Sequence, residues 1–150
     1  MKILASACLM GENCKYNGGN NYCGELVNFA QEQKAQVLTV CPEVLGGLPT
    51  PRIPSEIVSG KVTNREHICV DEEFRRGAEA ALKMAEDFGP DLIVLQARSP
   101  SCGCRQIYDG SFSGKLIPGM GVFAKLLTEN GFDVTDSEEF DIMVSGSARI

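Results

Sequence analysis

Seven cysteines and a single histidine, His67, are the residues of this 150-residue chain best suited to thiol or metal chemistry. Three of the thiols share one setting. Cys8 follows Lys2-Ile-Leu-Ala-Ser-Ala7, Cys41 follows Gln36-Val-Leu-Thr-Val40, and Cys102 stands in Arg98-Ser-Pro-Ser-Cys-Gly-Cys104, just after Leu92-Ile-Val-Leu95. Each preceding run is short and apolar, the pattern of a strand buried on both faces. If the runs are neighbours in one parallel sheet, all three cysteines emerge at the edge where open α/β sheets bind ligands. Thiolates are soft ligands, so clustered cysteines without histidine point to iron–sulfur or to zinc held by sulfur alone. One histidine rules out a zinc site of two cysteines and two histidines, and leaves little room for a cysteine–histidine nucleophile pair. The spacing is neither that of zinc-ribbon knuckles nor that of the close-set ferredoxin run. Three ligands from separate strand ends leave one metal position open, as in a catalytic site. Cys14 and Cys104 share loops with Cys8 and Cys102, and the reading leaves open whether they are ligands or packed thiols. Cys23 and Cys69 follow no strand exit and read as small core hydrophobes.

The elements that must position these thiols follow from periodicity and punctuation. A polar, glycine-rich loop runs from Cys8 to Gly19, and a helix from about Asn21 to Gln33 with Leu26, Phe29 and Ala30 on one face returns the chain to the second strand. The result is a right-handed βαβ unit. Between Pro42 and Ile57, Pro49, Pro51 and Pro54 exclude a helix interior, and the segment reads as an extended wall of the site. Val58 to Val70 reads as a small hairpin carrying a solvated His67. Asp71 to Phe88 is a helix with Asp71 as N-cap, Phe74, Ala78, Ala81, Leu82 and Ala85 at helical spacing, and Gly89-Pro90 as the stop. Asp109-Gly110 is a turn signal. Pro118 to Leu127 is a further helix stopped by Gly131, Phe132 to Val134 a short fourth strand, and Ser137 to Val144 a last helix with acidic residues in its first turn. The expected fold is α/β: one three-layer, Rossmann-like domain over residues 1–150, with a short parallel sheet of about four strands in the order 2-1-3-4 and helices on both faces.

Hydrophobic residues make up 43% and charged residues 23% of the chain, an ordinary globular balance. A net charge of −6 argues against long nucleic acid as a partner but leaves small nucleotides possible. No basic, apolar leader and no apolar run near the ~20 residues of a bilayer span is present, so a cytoplasmic protein without membrane partners is expected. In a reducing compartment an odd number of cysteines is not a disulfide framework.

Six motifs carry a family resemblance. Ser6-Ala-Cys-Leu-Met-Gly11, Cys14-Lys-Tyr-Asn-Gly18, Cys41-Pro-Glu-Val-Leu-Gly-Gly-Leu48, Pro51-Arg-Ile-Pro54, Arg98-Ser-Pro-Ser-Cys-Gly103 and Ile107-Tyr-Asp-Gly-Ser-Phe112 resemble, in order, the thiouracil desulfidase family. The resemblance implies a [4Fe-4S] cluster held by three cysteines, matching Cys8, Cys41 and Cys102, with the fourth iron open to a thiocarbonyl sulfur. It also implies a small thiolated pyrimidine as the partner molecule. The family usually has Asp where this chain has Asn17 and Lys where it has Gln96, while Cys69 and Cys104 are particular to this chain. Were Cys104 to reach the cluster as a fourth ligand, it would fill the open iron.

Several neighbours complete the candidate site. Glu43, two residues beyond Cys41, is placed to hold or deprotonate a water; its bland alternative is a surface carboxylate. Ser99 and Ser101 flank Pro100 and either orient substrate or cap the turn. Arg52 and Arg98 either bind an anionic group bidentately or pin loops. Tyr108 is a candidate to stack on the pyrimidine, whereas Phe112 reads as packing. Gly119 and Gly121 lie where free backbone N–H groups at a helix start would attract a nucleotide phosphate.

Overall fold

The computed structural model describes residues 1–148. Its centre is a four-stranded parallel sheet of β1 (Lys2–Ser6), β2 (Gln36–Val40), β5 (Leu92–Leu95) and β8 (Thr135–Asp136), in spatial order β2-β1-β5-β8. The expected order is therefore observed, with β5 and β8 as the third and fourth strands. Two antiparallel hairpins lie outside it: β3 (Ser55–Val58) with β4 (Lys61–Asn64), and β6 (Gln106–Tyr108) with β7 (Leu116–Pro118). Ser59 and Gly60 both have positive φ (50° and 81°), as a two-residue turn matching strand twist requires.

The helices are α1 (Gly24–Glu32), α2 (Pro42–Leu45), α3 (Asp71–Phe88), α4 (Val122–Glu129) and α5 (Ser137–Ala148). Side chains alternate across the sheet and build a core on each face. Leu4, Val40, Ile93 and Leu95 pack with Ala78, Ala81 and Ala85 of α3 and Phe123, Ala124 and Leu127 of α4. Ile3, Ala5 and Val94 pack with Leu26 and Ala30 of α1 and Phe140 of α5. Burial on both faces explains why these strands read as apolar runs rather than as alternating ones.

Several boundaries differ from the sequence reading. The fourth strand is Thr135–Asp136 rather than Phe132 to Val134, because the chain turns after α4 before it reaches the sheet beside β5. The wall after Cys41 begins with the helical turn α2, which precedes the three prolines and is opened by Pro42 at its first position. Val70, not Asp71, caps α3. The Asp71 carboxylate accepts instead from the Val62 N–H (3.0 Å) and from Arg75 Nε (2.6 Å), tying α3 to the β3–β4 hairpin. Cys69 is exposed rather than core, in an isolated bridge to Thr63 that extends the hairpin.

Two glycines decide how closely α2 approaches α3. A Cβ at Gly77 would lie 1.7 Å from the Pro42 carbonyl oxygen, and one at Gly46 would lie 1.9 Å from that of Glu73. Only glycine permits this backbone contact. It sets the position of the turn that carries Cys41 and Glu43.

Candidate active site

The carboxyl ends of β1, β2 and β5 open into a cavity of about 710 Å³. Cys8, Cys14, Cys41 and Cys102 line it; Cys23, Cys69, Cys104 and His67 do not. The three strand-end thiols therefore meet at one place, and Cys14 joins them.

Their electrostatics reflect that convergence. Interaction with the thiols of Cys8 and Cys41 raises the Cys14 thiol far above the ordinary range, and Cys41 Sγ lies 3.9 Å from the Cys14 carbonyl oxygen. The same interaction with Cys14 holds Cys41 down to about 7 and Cys8 below its usual value. Asn21 Nδ2 also donates to Cys8 Sγ (3.5 Å). Burial pushes Cys102 upward, opposed by hydroxyl bonds from Ser6 and Ser101, while the nearby sulfurs of Cys8 and Cys41 raise it further. Thiolate is the ligand form of cysteine. A set of thiols without imidazole fits a soft centre such as an iron–sulfur cluster.

Glu43 stands in the first turn of α2 and is held from both sides. Arg52 Nε donates to Oε1 (3.0 Å) and the Ser101 hydroxyl donates to Oε2 (2.8 Å). Both side chains of the ion pair are largely buried, with 7% of Arg52 and 15% of Glu43 exposed. Arg52 Nη2 also donates to the Cys14 carbonyl (2.8 Å). Arg52 is thus committed to the protein and joins the Cys14 loop to the Glu43 turn. Ser101 Oγ is 3.6 Å from Cys102 Sγ, so the carboxylate–hydroxyl pair adjoins the Cys102 sulfur.

The loop that presents Ser101 and Cys102 is built by local bonds. Ser99 Oγ accepts from the N–H groups of Ser101 and Cys102 (both 3.1 Å), so this hydroxyl shapes the turn, and it also meets Ser101 Oγ at 2.9 Å. The start of α4 seats the loop from behind: Val122 N–H donates to Pro100 O (2.9 Å) and Phe123 N–H to Ser101 O (2.8 Å). This corrects the expectation for Gly119 and Gly121. Neither lines the cavity, and their N–H groups are used on Arg105 O (3.1 Å) and Gly103 O (2.8 Å). A Cβ at Gly121 would lie 2.5 Å from the Ser101 carbonyl carbon, so this glycine admits the loop rather than an anion.

The remaining candidates are at the rim. Arg98, at a left-handed φ of 67°, pairs bidentately with Glu138 (3.0 and 3.1 Å), an ion pair that raises its pKa. Tyr108 and Phe112 line the cavity, as does Arg65, whose guanidinium lies 5.9 Å from the Phe112 ring. Cys104 faces elsewhere: it packs on the core, its thiol raised to about 12 by burial and by Asp136 and Glu139. A separate grouping, Cys23 with Glu25 and Asp141, has its ligand atoms within 4.8 Å of one another and lies outside the cavity lining. Sequence reasoning did not single out Ser6 or Asn21. Ser6 is a buried hydroxyl two residues before Cys8, accepting from Gln96 N–H (2.9 Å); its signals were a polar residue closing an apolar strand and its place at the head of the first motif.

A parallel α/β sheet with a thiol-lined cavity at its ligand edge, and a carboxylate–hydroxyl pair against the sulfurs, defines an α/β protein with a soft-donor site. Comparison with known proteins narrows that class. The 2-thiouracil desulfurase family profile matches residues 3–139. YbbK of Bacillus subtilis (strain 168), an uncharacterised protein, is 38% identical over 149 residues, covering 93% of this chain and 97% of YbbK. The solved structure of TudS, a [4Fe-4S]-dependent thiouracil desulfidase, superposes with a TM-score of 0.86 at 34% identity and covers 99% of both chains. The chain belongs to the 2-thiouracil desulfurase family. No helix among the described residues is long and apolar enough to cross a membrane.

Proposed function

We propose that this protein is an iron–sulfur-dependent desulfidase that converts a thiolated pyrimidine, thiouracil or a small thiouridine nucleotide, to the oxo compound and sulfide in the cytoplasm. The observation that carries the reading is the meeting of Cys8, Cys41 and Cys102 beside the Glu43–Ser101 pair in one cavity. These three cysteines would hold a [4Fe-4S] cluster. With one iron left open, such a cluster would supply Lewis-acid chemistry toward a thione sulfur, a role worth on the order of several kcal/mol of transition-state charge. The reaction, thione plus water to carbonyl plus hydrogen sulfide, moves no net electrons.

The chain's own residues handle the proton. Glu43 Oε2 accepts the Ser101 proton along the 2.8 Å bond while Ser101 Oγ takes one from the attacking water, and Glu43 returns its proton by the same route to the departing sulfide. Arg52 orients the carboxylate through Oε1. Tyr108 offers a ring face to the pyrimidine, and Arg98, tied to Glu138, fixes the rim rather than meeting an anionic group. The test is anaerobic reconstitution with iron, sulfide and uracil measured on the same sample. Cys8→Ser, Cys41→Ser and Cys102→Ser should each lose iron retention and turnover, whereas Cys23→Ser and Cys69→Ser should keep both. A full cluster in Cys41→Ser would sink the assignment.

A further inference from the structure

Resting on the desulfidase reading, the open iron raises the question of what stands there before substrate arrives. Four thiols line the cavity, not three. Cys14 stands directly against one of the strand-end cysteines, its carbonyl oxygen 3.9 Å from Cys41 Sγ, and it shares the cavity wall with Cys8, Cys41 and Cys102. Its backbone is also fixed toward the site: the Cys14 N–H donates to Glu12 O (2.9 Å), and its carbonyl accepts from Arg52 Nη2 (2.8 Å). Arg52 N–H further donates to Tyr16 O (2.7 Å), so one residue clasps the Cys14 loop from two points.

The setting of Cys14 differs from that of the other three. Cys8 and Cys41 stand within two residues of the ends of β1 and β2, and Cys102 lies in the loop that leaves β5. Cys14 sits in a loop whose neighbours Glu12, Asn13, Tyr16 and Asn17 are exposed, a segment whose local opening costs little compared with that of the sheet. Four thiolates complete a cubane cluster, and a filled site is closed to substrate. The weakest-held of the four is then the one that yields.

We infer that Cys14 is a fourth, displaceable thiol ligand, occupying the free iron position in the resting protein and surrendering it to the thione sulfur of the substrate. Cys14 loses one proton to solvent on ligating and recovers one on leaving, and no electron moves. The device shields the iron between turnovers, and it differs from a permanently filled four-cysteine site in that substrate opens it.

Thiol footprinting tests this apart from activity. Reconstituted wild-type protein is pulsed with iodoacetamide anaerobically, with and without 2-thiouracil, and the labelled cysteines are identified by mass spectrometry. Without substrate, Cys14 should react at least ~10-fold more slowly than in metal-free protein; with substrate it should regain reactivity while Cys8, Cys41 and Cys102 stay protected. The EPR signal of the reduced cluster should differ between wild type and Cys14→Ala without substrate and coincide when 2-thiouracil is bound. Cys14→Ala should also bleach faster in air and show a lower KM. Equal labelling of Cys14 in loaded and metal-free protein, or identical EPR signals in both conditions, overturns the inference. Loss of all iron from Cys14→Ala overturns it as well, by making Cys14 a permanent ligand. If wild type assembles no cluster, the desulfidase reading itself fails.

Discussion

Glu43→Gln separates the proton chemistry from the metal centre. The substitution keeps size but replaces a carboxylate that accepts from both Arg52 (3.0 Å) and Ser101 (2.8 Å). A glutamine amide oxygen can serve one of those donors, and its NH₂ then faces the other. Removing one partner of a fully buried pair costs about 3–5 kcal/mol. Here Arg52 also donates to Pro49 O, Thr50 Oγ1 and Cys14 O, and the pair is not fully sealed. The expected loss is therefore smaller, about 2 kcal/mol, which for a domain of this size lowers Tm by about 4–8 °C. Turnover should fall much further, by the ~10²–10⁴ that general-base catalysis supplies, because Ser101 loses its proton acceptor. Uracil and sulfide formation are assayed anaerobically, with iron counted on the same sample and Tm measured on the loaded protein. Iron content should match wild type. Near wild-type turnover with a full iron complement would refute the argument and reduce Glu43 to a partner for Arg52.

Ser101→Ala removes the relay and should cost ~10² in turnover with iron retained; a ~10-fold loss would instead mean one orienting hydrogen bond worth about 1 kcal/mol. Gly77→Ala forces a Cβ into the Pro42 carbonyl and should cost about 3 kcal/mol while moving Cys41 and Glu43, so both Tm and iron retention should fall; unchanged iron content would show that the α2–α3 contact does not place the ligand. Asp71 gives a pH dependence: burial pushes its carboxyl up, but the Val62 N–H and the Arg75 guanidinium outweigh this and hold it below its ordinary value. A depressed folded pKa contributes stability above the unfolded value near ~4 that is lost as pH falls through the folded one, so Asp71→Asn should cost about 2 kcal/mol at pH 7 by urea unfolding, with the difference shrinking below about pH 4. A deficit that persists undiminished at pH 2 would refute the assignment of that stability to the carboxylate.

What the sequence disclosed, and what it hid, follows from the range of each signal. Cys8, Cys41 and Cys102 were readable because each follows a short apolar run, and a parallel sheet turns three separate run ends into one edge. Gly121 carried the opposite lesson. A glycine before a helix has the same local signature whether it admits an anion or a loop of its own chain, and only tertiary contact shows that α4's first N–H groups are used on Pro100, Ser101 and Gly103. Arg52 was ambiguous for a related reason: an arginine amid prolines marks a loop, but its partner Glu43 lies nine residues away in a turn whose position depends on Gly77 in another helix. That same dependence bears on function. Because Arg52 holds both the Glu43 carboxylate and the Cys14 carbonyl, the proposed withdrawal of Cys14 and the proposed proton transfer to Glu43 would share one guanidinium.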